Sequence, residues 1–163
     1  MEYQIRKAIW EDLPRIEEIY AYARKFMAEH GNPDQWGNSY PLRQWLEMDI
    51  AENALFVIEG PVEIHGVFYF VIGEDPTYGE IFHGAWKNHS PYGTIHRIAG
   101  DGSGGILKTA VAFCREQIDH IRIDTHKDNT VMQSALDKQD FQYCGIIYVE
   151  DGTPRLAYEW TKK

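Results

Sequence analysis

The feature that most constrains the fold is a glycine cluster placed between a predicted strand and a predicted helix. Residues 96–109 read HRIAGDGSGGILKT. Residues 92–98 before the cluster are strand-like, residues 106–118 carry apolar side chains at helical spacing, and residues 121–125 alternate as a strand. Glycine inside regular structure costs roughly 0.5–1 kcal/mol relative to alanine, so such a cluster indicates positive φ angles or a ligand held against bare backbone. Residues 92–125 therefore predict one parallel strand–helix–strand unit with a right-handed crossover.

The rest of the chain predicts a mixed α/β (α+β) protein with a mostly antiparallel sheet. About four helices would cover this sheet, which would contain a single parallel pair of strands. The length of 163 residues and the 44% hydrophobic content suit a single domain over residues 1–163. The other predicted elements are a strand at 3–8, a helix capped by Asp12 that ends near 30, a helix at 42–50, strands at 54–59, 63–72 and 80–86, a helix capped by Asn129 that ends near 138, and strands at 145–149 and 156–160.

Charge and composition exclude several classes of partner. A formal net charge of -9 disfavours nucleic acids and anionic membranes, both of which require Lys and Arg to neutralise phosphate. The longest apolar run, Val67 to Ile72, is too short to span a bilayer, and the charged first residues do not resemble a signal peptide, so we expect a cytoplasmic protein. Cys114 and Cys144 do not form a disulfide framework, and no HxH or HExxH spacing predicts a metal.

The glycine cluster alone allows three interpretations. Gly100, Gly102 and Gly105 match the dinucleotide pattern GxGxxG, with Asp124 as the ribose-binding acid, but the further parallel units of a Rossmann domain are missing. Gly100 and Gly105 also fit the phosphate-loop pattern GxxxxG, although Ile106 follows where that motif requires Lys. The third interpretation is a strand-to-helix turn without a ligand.

Over nearly its full length the chain resembles the GNAT superfamily of acyl-CoA-dependent N-acyltransferases. HRIA resembles the end of the family's central strand, GDGSGGI its pyrophosphate loop, and IDTHKDNTVMQSALDKQDF the strand and helix that follow. The family pattern Q/R-x-x-G-x-G/A fits residues 97–102. A second register, which we prefer, places residues 105–107 at its last three positions and the glycines at the helix start.

The resemblance implies acetyl-CoA as co-substrate and direct transfer of its acetyl group to an amine. Independently of the family, backbone N–H groups at a helix N-terminus form an anion site that suits a diphosphate. The residues expected to bind the coenzyme are Ile98, Ala99, Gly100, Gly102, Ser103, Gly104, Gly105, Ile106 and Asn129.

The resemblance does not supply every catalytic group, because Leu136 replaces the family tyrosine that protonates the leaving thiolate. Histidine is the natural general base at neutral pH, which makes His96 on the central strand and His126 at the mouth of the next strand candidates, with Glu80 as a rival. A hydrogen-bonded core residue is the alternative role for His96. Strand alternation places His96 on the same face as Ile98.

We expect the acceptor pocket to form from the loop between the first two helices and the segment before the central strand. Trp36, Tyr40 and Trp86 would then contact the acceptor, a small-molecule or protein amine, unless these rings only pack the loops. An aromatic mouth on an acidic protein favours a cationic amine. A non-catalytic CoA-binding module is the competing function, and edge strands with many aromatics allow a homodimer.

Overall fold

The computed structural model describes residues 2–163, which form a seven-stranded sheet in the order β1-β2-β3-β4-β5-β7-β6. This confirms the predicted fold class. The strands are β1 Gln4–Lys7, β2 Leu55–Glu59, β3 Ile64–Ile72, β4 Gly93–Gly100, β5 His120–Thr125, β6 Gln142–Tyr148 and β7 Pro154–Thr161. The helices of these residues are α1 Leu13–Glu29, α2 Arg43–Ala51, α3 Ile106–Gln117 and α4 Thr130–Lys138.

Strands β4 and β5 form the one parallel pair in the described sheet, and they part soon after they meet. Their pairing joins Gly93 to Ile121 and Thr94 to Arg122, and it continues no further within residues 2–163. The other neighbouring strands are antiparallel. A Rossmann domain requires several adjacent parallel strands, so the dinucleotide interpretation of the glycines is wrong.

A β-bulge interrupts β4 just before the glycine cluster. The register against β3 pairs Tyr69 with His96 but Val67 with Ala99, so one extra residue is accommodated in β4. Arg97 in this bulge has a φ of 52°. Because the bulge shifts the alternation, Ile98 packs in the same apolar cluster as Ile95, and the predicted sharing of a face by His96 and Ile98 is wrong.

Helices cover both faces of the sheet. Helices α1 and α2 pack on the face that contains Val57 and Val67, while α3 and α4 pack on the opposite face against Ile58 and Phe68. Alternate residues of β2 and β3 thus enter different cores, as the two-residue period of a strand requires. Among the described helices, none has both the length and the apolar character needed to cross a bilayer.

Two local predictions are wrong. Residues 80–86 do not form a strand: Phe82 alone bridges to Ile146, and the backbone at Gly84 lies so close to β6 that a Cβ there would be 2.0 Å from the Cys144 carbonyl oxygen. Asp12 precedes α1 but does not cap it through its side chain. Its carboxylate instead accepts the Ile9 N–H at 2.9 Å and pairs with Arg6 at 2.7 Å.

Candidate active site

Two cavities meet where β4 and β5 separate. The larger has a volume of about 640 Å³ and the smaller about 320 Å³. Ile98 on β4 lines both cavities, as do Met27 of α1, Asn129 before α4 and Met132 within α4. The two cavities therefore adjoin at the point where the strands separate.

The smaller cavity lies between α1, the end of β4, the glycine loop, α3 and α4. Ser103 and Gly105, both expected to bind the coenzyme, do not line it; the Ser103 N–H donates to Asp101 Oδ1 at 3.1 Å instead. The expected coenzyme residues that do line this cavity are Ile98, Ala99, Gly100, Gly102, Gly104, Ile106 and Asn129.

The glycine loop leads directly into α3. Gly102, Gly104 and Gly105 have φ values of 90°, 86° and 75°, which L side chains rarely adopt, and α3 begins at Ile106. The first N–H groups of a helix have no intrahelical acceptor and carry the positive end of the helix dipole. The smaller cavity thus ends at a group of amides suited to an anion.

Side chains from three other elements hold this loop. Asp101 Oδ2 lies 2.8 Å from Arg15 Nη2 and 2.8 Å from His65 Nδ1, and Tyr3 donates its hydroxyl to the Gly104 carbonyl oxygen at 2.8 Å. Burial would raise the pKa of Asp101, but hydrogen bonds from Ser103 and His65 hold it below its usual value. The negative charge of Asp101 is therefore already compensated next to the anion site.

A hydrogen-bonded network forms the wall of the larger cavity. His96 Nε2 lies 2.8 Å from Asp75 Oδ2, and His96 Nδ1 lies 3.7 Å from Asp124 Oδ2. Tyr78 donates its hydroxyl to the same Asp124 oxygen at 2.6 Å. Burial, followed by the charge of Asp124, raises the pKa of Tyr78 well above its usual value, so the phenol remains a donor at neutral pH.

Asp75 determines the tautomer of His96. Burial opposes its ionisation, but hydrogen bonds from His96 and Thr77 outweigh burial and lower the pKa of Asp75 to about 2. An ionised carboxylate only accepts hydrogen bonds, so the Asp75 contact requires a proton on His96 Nε2. In the neutral imidazole, Nδ1 then carries the lone pair and faces Asp124.

The other expected catalytic residues lie outside the cavity walls. His126 is buried, and its Nδ1 accepts the Asp128 N–H at 3.1 Å. Burial, followed by the charge of Arg155, lowers the pKa of His126 and keeps it neutral. Glu80 is exposed on the segment before β4. Of the expected base candidates, the structure brings only His96 into the larger cavity.

Some of the expected acceptor residues also line the larger cavity and one does not. Trp36 and Tyr40, from the loop between α1 and α2, line the larger cavity, with ring centroids 5.8 Å apart. Trp86 is buried elsewhere: its Nε1 donates to the Tyr78 carbonyl oxygen at 2.9 Å, and Arg122 lies over its ring at 4.0 Å. Trp86 is therefore placed as a core residue.

Sequence reasoning missed several polar residues of the larger cavity. Asp75 begins a short 3-10 turn and accepts the Thr77 N–H at 2.9 Å; the sequence Asp-Pro-Thr is a turn signal that could have drawn attention to it. Asp124 was singled out only as a ribose ligand. Glu150 and Asp151 gave no signal beyond a turn.

A comparison with solved structures finds acetyltransferases of one family. A GNAT-family acetyltransferase from Streptococcus agalactiae aligns with a TM-score of 0.87 and 29% sequence identity, over 99% of this chain and 96% of that chain. This similarity supports membership of the chain in the GNAT superfamily. No family model and no curated protein matches the sequence.

More distant GNAT structures share the fold. An acetyltransferase of the GNAT family from Listeria monocytogenes has a TM-score of 0.72 at 16% identity, covering 99% of this chain and 95% of that chain. A ribosomal-protein-alanine N-acetyltransferase from Brucella melitensis has a TM-score of 0.62 at 19% identity, covering 97% and 99%. The described residues of the present chain contain no cluster of His, Cys, Asp or Glu suited to a metal ion.

Proposed function

We propose that this protein transfers an acyl group, acetyl from acetyl-CoA in the expected case, to the nitrogen of an amine. The observation that carries the proposal is the meeting of the two cavities at Ile98, Asn129 and Met132. A coenzyme whose diphosphate lies on the amides before α3 would present its thioester at this junction. The amine would then arrive from the larger cavity.

The separated strands supply the polar groups that such a transfer requires. Beyond Thr94, the β4 backbone has no partner on β5 within residues 2–163, so its edge is free to hydrogen-bond a pantetheine arm and the thioester carbonyl. Amide donors aimed at the oxygen that gains charge in the transition state are a major source of catalysis in acyl transfer. The free edge of β4 thus supports binding of the thioester carbonyl by the backbone around Ile98.

His96 is the general base that the geometry favours. Its Nδ1 would accept the proton of the attacking amine, and the resulting imidazolium would lie between Asp75 and Asp124, at 2.8 and 3.7 Å. The nitrogen attacks the carbonyl carbon, the carbon–sulfur bond breaks, and CoA leaves as a thiolate. General bases of this kind contribute about 10²- to 10⁴-fold to the rate.

The missing family tyrosine supports a second candidate function. Leu136 stands in its place, with 0% of its side chain exposed, and offers no proton to the thiolate. Either solvent protonates the thiolate, or the protein only binds CoA. The second case is a non-catalytic CoA-binding module with the same fold.

Two measurements separate these functions. CoA at about 100 times its dissociation constant stabilises the fold by about 2.7 kcal/mol if it binds only the native state, so CoA should raise the melting temperature and NAD should not. Thiol release from acetyl-CoA is then followed with a panel of amines. Stabilisation with turnover supports the enzyme and stabilisation without turnover supports the binding module. No stabilisation, together with no heat of binding in calorimetry, would contradict both.

A further inference from the structure

We propose that the acceptor amine carries a second cationic nitrogen, as an aliphatic diamine or polyamine does. The inference rests on the proposed function, because it describes the substrate of the same site. Its reactive nitrogen would approach His96, while the second nitrogen is held by the excess of carboxylates along the larger cavity. Four carboxylates line that cavity, those of Asp75, Asp124, Glu150 and Asp151.

The position next to His96 favours a cationic donor. With the His96 proton on Nε2, the groups that face each other across 3.7 Å are the Nδ1 lone pair and the Asp124 carboxylate, which are both acceptors. Tyr78 donates to that Asp124 oxygen, whereas His96 Nδ1 receives no hydrogen bond within residues 2–163 and stays open to a donor from a ligand. An alkylammonium nitrogen supplies both the N–H groups and the positive charge. It passes one proton to Nδ1 to become the nucleophilic amine, and the second proton that it loses on forming the amide goes to the departing thiolate, directly or through solvent.

The turn between β6 and β7 adds further negative charge to the cavity. Glu150 and Asp151 lie in the exposed turn between β6 and β7. Asp151 Oδ1 accepts the Thr153 N–H at 2.9 Å, which fixes the carboxylate at the mouth of the cavity. These two residues come from a different part of the chain than Asp75 and Asp124, so carboxylates reach the cavity from more than one element.

The arginines of the cavity wall do not cancel this charge. Arg97 is already paired with Asp49, with N–O distances of 3.1 and 3.0 Å in a two-point contact. Arg155 lies 4.0 Å from Asp124 Oδ1 and donates to the backbone carbonyl oxygens of Gln35 and Pro154. Asp49, which pairs with Arg97, does not line the cavity. The four carboxylates of the lining outnumber its two arginines, so the lining keeps a net negative charge.

Aromatic rings provide the rest of the wall. Tyr40 has its ring centroid 5.8 Å from that of Trp36 and 5.3 Å from that of Trp45, and all three rings line the cavity. Ring faces attract alkylammonium groups, and the neighbouring Tyr69 already holds the Arg97 guanidinium at 4.8 Å in this way. An alkyl chain between two ammonium groups suits a lining of rings and carboxylates.

A buried hydroxyl gives an independent indication of a polar ligand. Thr125 lines the larger cavity with 1% of its surface exposed, and its Oγ1 has no hydrogen-bond partner within residues 2–163. Buried hydroxyls without a partner are uncommon in folded proteins, and a ligand N–H or a water can satisfy one. The volume of about 640 Å³ is in the range of small-molecule sites, which favours a free diamine over a lysine on a protein.

The test compares amines that differ only at the far end. We would measure kcat/KM with acetyl-CoA for 1,4-diaminobutane, butylamine and 4-aminobutanoate. Several partly exposed ion pairs together are worth about tenfold, so the diamine should exceed butylamine by about this factor, beyond the statistical advantage of its two equivalent nitrogens. The amino acid should be the poorest, because its carboxylate meets the carboxylates of the cavity.

Paired variants assign the effect to the cavity. The double variant Glu150→Gln/Asp151→Asn should reduce the ratio of diamine to butylamine several-fold. Glu116→Gln/Asp119→Asn changes the net charge equally at exposed positions that do not line the cavity, and should leave the ratio unchanged. A ratio that falls equally in both variants would show a general field effect and would contradict the proposal.

The outcomes for the two proposals are distinguishable. Turnover of butylamine and the diamine with equal kcat/KM, or faster turnover of a lysine peptide, overturns the diamine proposal and leaves acyl transfer standing. If no amine is turned over although CoA binds, acyl transfer fails. The melting temperatures measured with 1,4-diaminobutane and with butylamine at equal ionic strength then decide the diamine proposal. The proposal requires that the diamine raise the melting temperature more than butylamine does.

Discussion

At the scale of single residues, the bulge in β4 depends on the contacts of Arg97. A non-glycine residue with a φ of 52° is uncommon and costs about 1–3 kcal/mol unless its surroundings fix it. Here Asp49 pairs with the guanidinium, and Tyr20 donates its hydroxyl to the Arg97 carbonyl oxygen at 2.6 Å. The Arg97 side chain anchors the bulge to α2, and the Arg97 backbone makes the turn that brings Ile98 to the junction of the cavities.

The structure separates the two histidines that sequence left as alternative bases. His96→Ala should lower kcat about 10²-fold or more, because it removes the proton acceptor from the cavity wall. His126→Ala should change kcat little and mainly lower the melting temperature, because His126 Nδ1 supports the turn at Asp128. Thiol-release kinetics and thermal melts check both. Full kcat in His96→Ala, with CoA binding retained, would exclude His96 as base.

A second prediction concerns the orientation of His96. In Asp75→Asn the amide can turn its NH₂ toward His96 Nε2, which favours the opposite tautomer and moves the proton to Nδ1. We expect kcat to fall about tenfold or more while the KM for acetyl-CoA is unchanged, since Asp75 does not line the smaller cavity. Asp75→Glu, which keeps the acceptor, should recover part of the rate. A change confined to KM would contradict this role.

At the scale of elements, the start of α3 packs directly onto two strands. Gly66 of β3 and Gly100 of β4 are paired across the sheet, and a Cβ on either would lie within 2.9 Å of the Ile106 side chain. Gly100 is therefore required for packing between strand and helix, whereas Gly104 and Gly105 are required for their positive φ angles. The glycines of one cluster thus have two different physical roles.

This packing predicts a double-mutant cycle. A Cβ on residue 100 would be 2.8 Å from Ile106 Cγ1, so Gly100→Ala should lower the free energy of unfolding by about 1–3 kcal/mol. In the Ile106→Ala background the same substitution should cost clearly less, because the clashing atoms are gone. Urea unfolding of the four proteins gives the coupling energy. Equal costs in both backgrounds would show that the close approach is not the cause.

The pair between α2 and β4 gives a second prediction at this scale. Asp49→Ala leaves the half-buried Arg97 guanidinium without its carboxylate, and breaking such a pair costs about 3 kcal/mol or more. Glu52→Ala, at the end of the same helix on an exposed position, is the matched control and should change stability little. Chemical denaturation measures both. Similar small losses would mean that the pair does not hold the bulge.

At the scale of the whole molecule, several carboxylates make the fold sensitive to acid. Burial would raise the pKa of Asp12, Asp75, Asp101 and Glu159, but hydrogen bonds from their partners outweigh burial and lower each one. Asp49 opposes them, because burial raises its pKa. Since folded values lie below unfolded ones for the first four, the unfolded chain binds more protons as the pH falls.

The stability from these four groups is complete above the unfolded pKa values, about 3.9 for Asp and 4.3 for Glu. It declines as the pH falls below those values and is fully lost only below the lower folded values, about 2 for Asp75. We expect a nearly constant melting temperature from neutral pH to about 5 and a steep fall below about 4.5. The fall should be smaller in Asp75→Asn, which no longer titrates there. A melting temperature that stays constant down to pH 3 would contradict this linkage.

Much of the fold could be predicted from sequence because its signals are local. Apolar periodicity gave the helices and most strands, and the glycines marked the entry to α3 at Ile106. The bulge at Arg97 could not be predicted, since the contacts that fix it come from α1 and α2, distant in sequence. The same holds for residues 80–86, whose apolar pattern serves packing against β6 rather than strand pairing.

The candidate site also has a part that the sequence could predict and a part that it could not. The residues expected to bind the coenzyme lie mostly in one continuous segment, 98–106, and seven of the nine line the smaller cavity. The polar wall around His96 is instead assembled from loops that meet only in the folded chain. Asp75 and Asp124 lie 2.8 and 3.7 Å from His96 although they are far from it in sequence. Residue types alone could not show which of seven histidines has such neighbours.

The hydroxyl of Tyr3 reaches the glycine loop at Gly104 across 101 positions of sequence. For anyone preparing this protein, the choice of affinity tag therefore matters. A fusion partner placed immediately before Tyr3 would begin close to the loop that would receive the coenzyme, whereas one attached after Lys163 would be joined to the chain beyond the end of β7. A C-terminal affinity tag, or removal of an N-terminal tag before calorimetry, keeps the tag from lowering the measured affinity for the coenzyme.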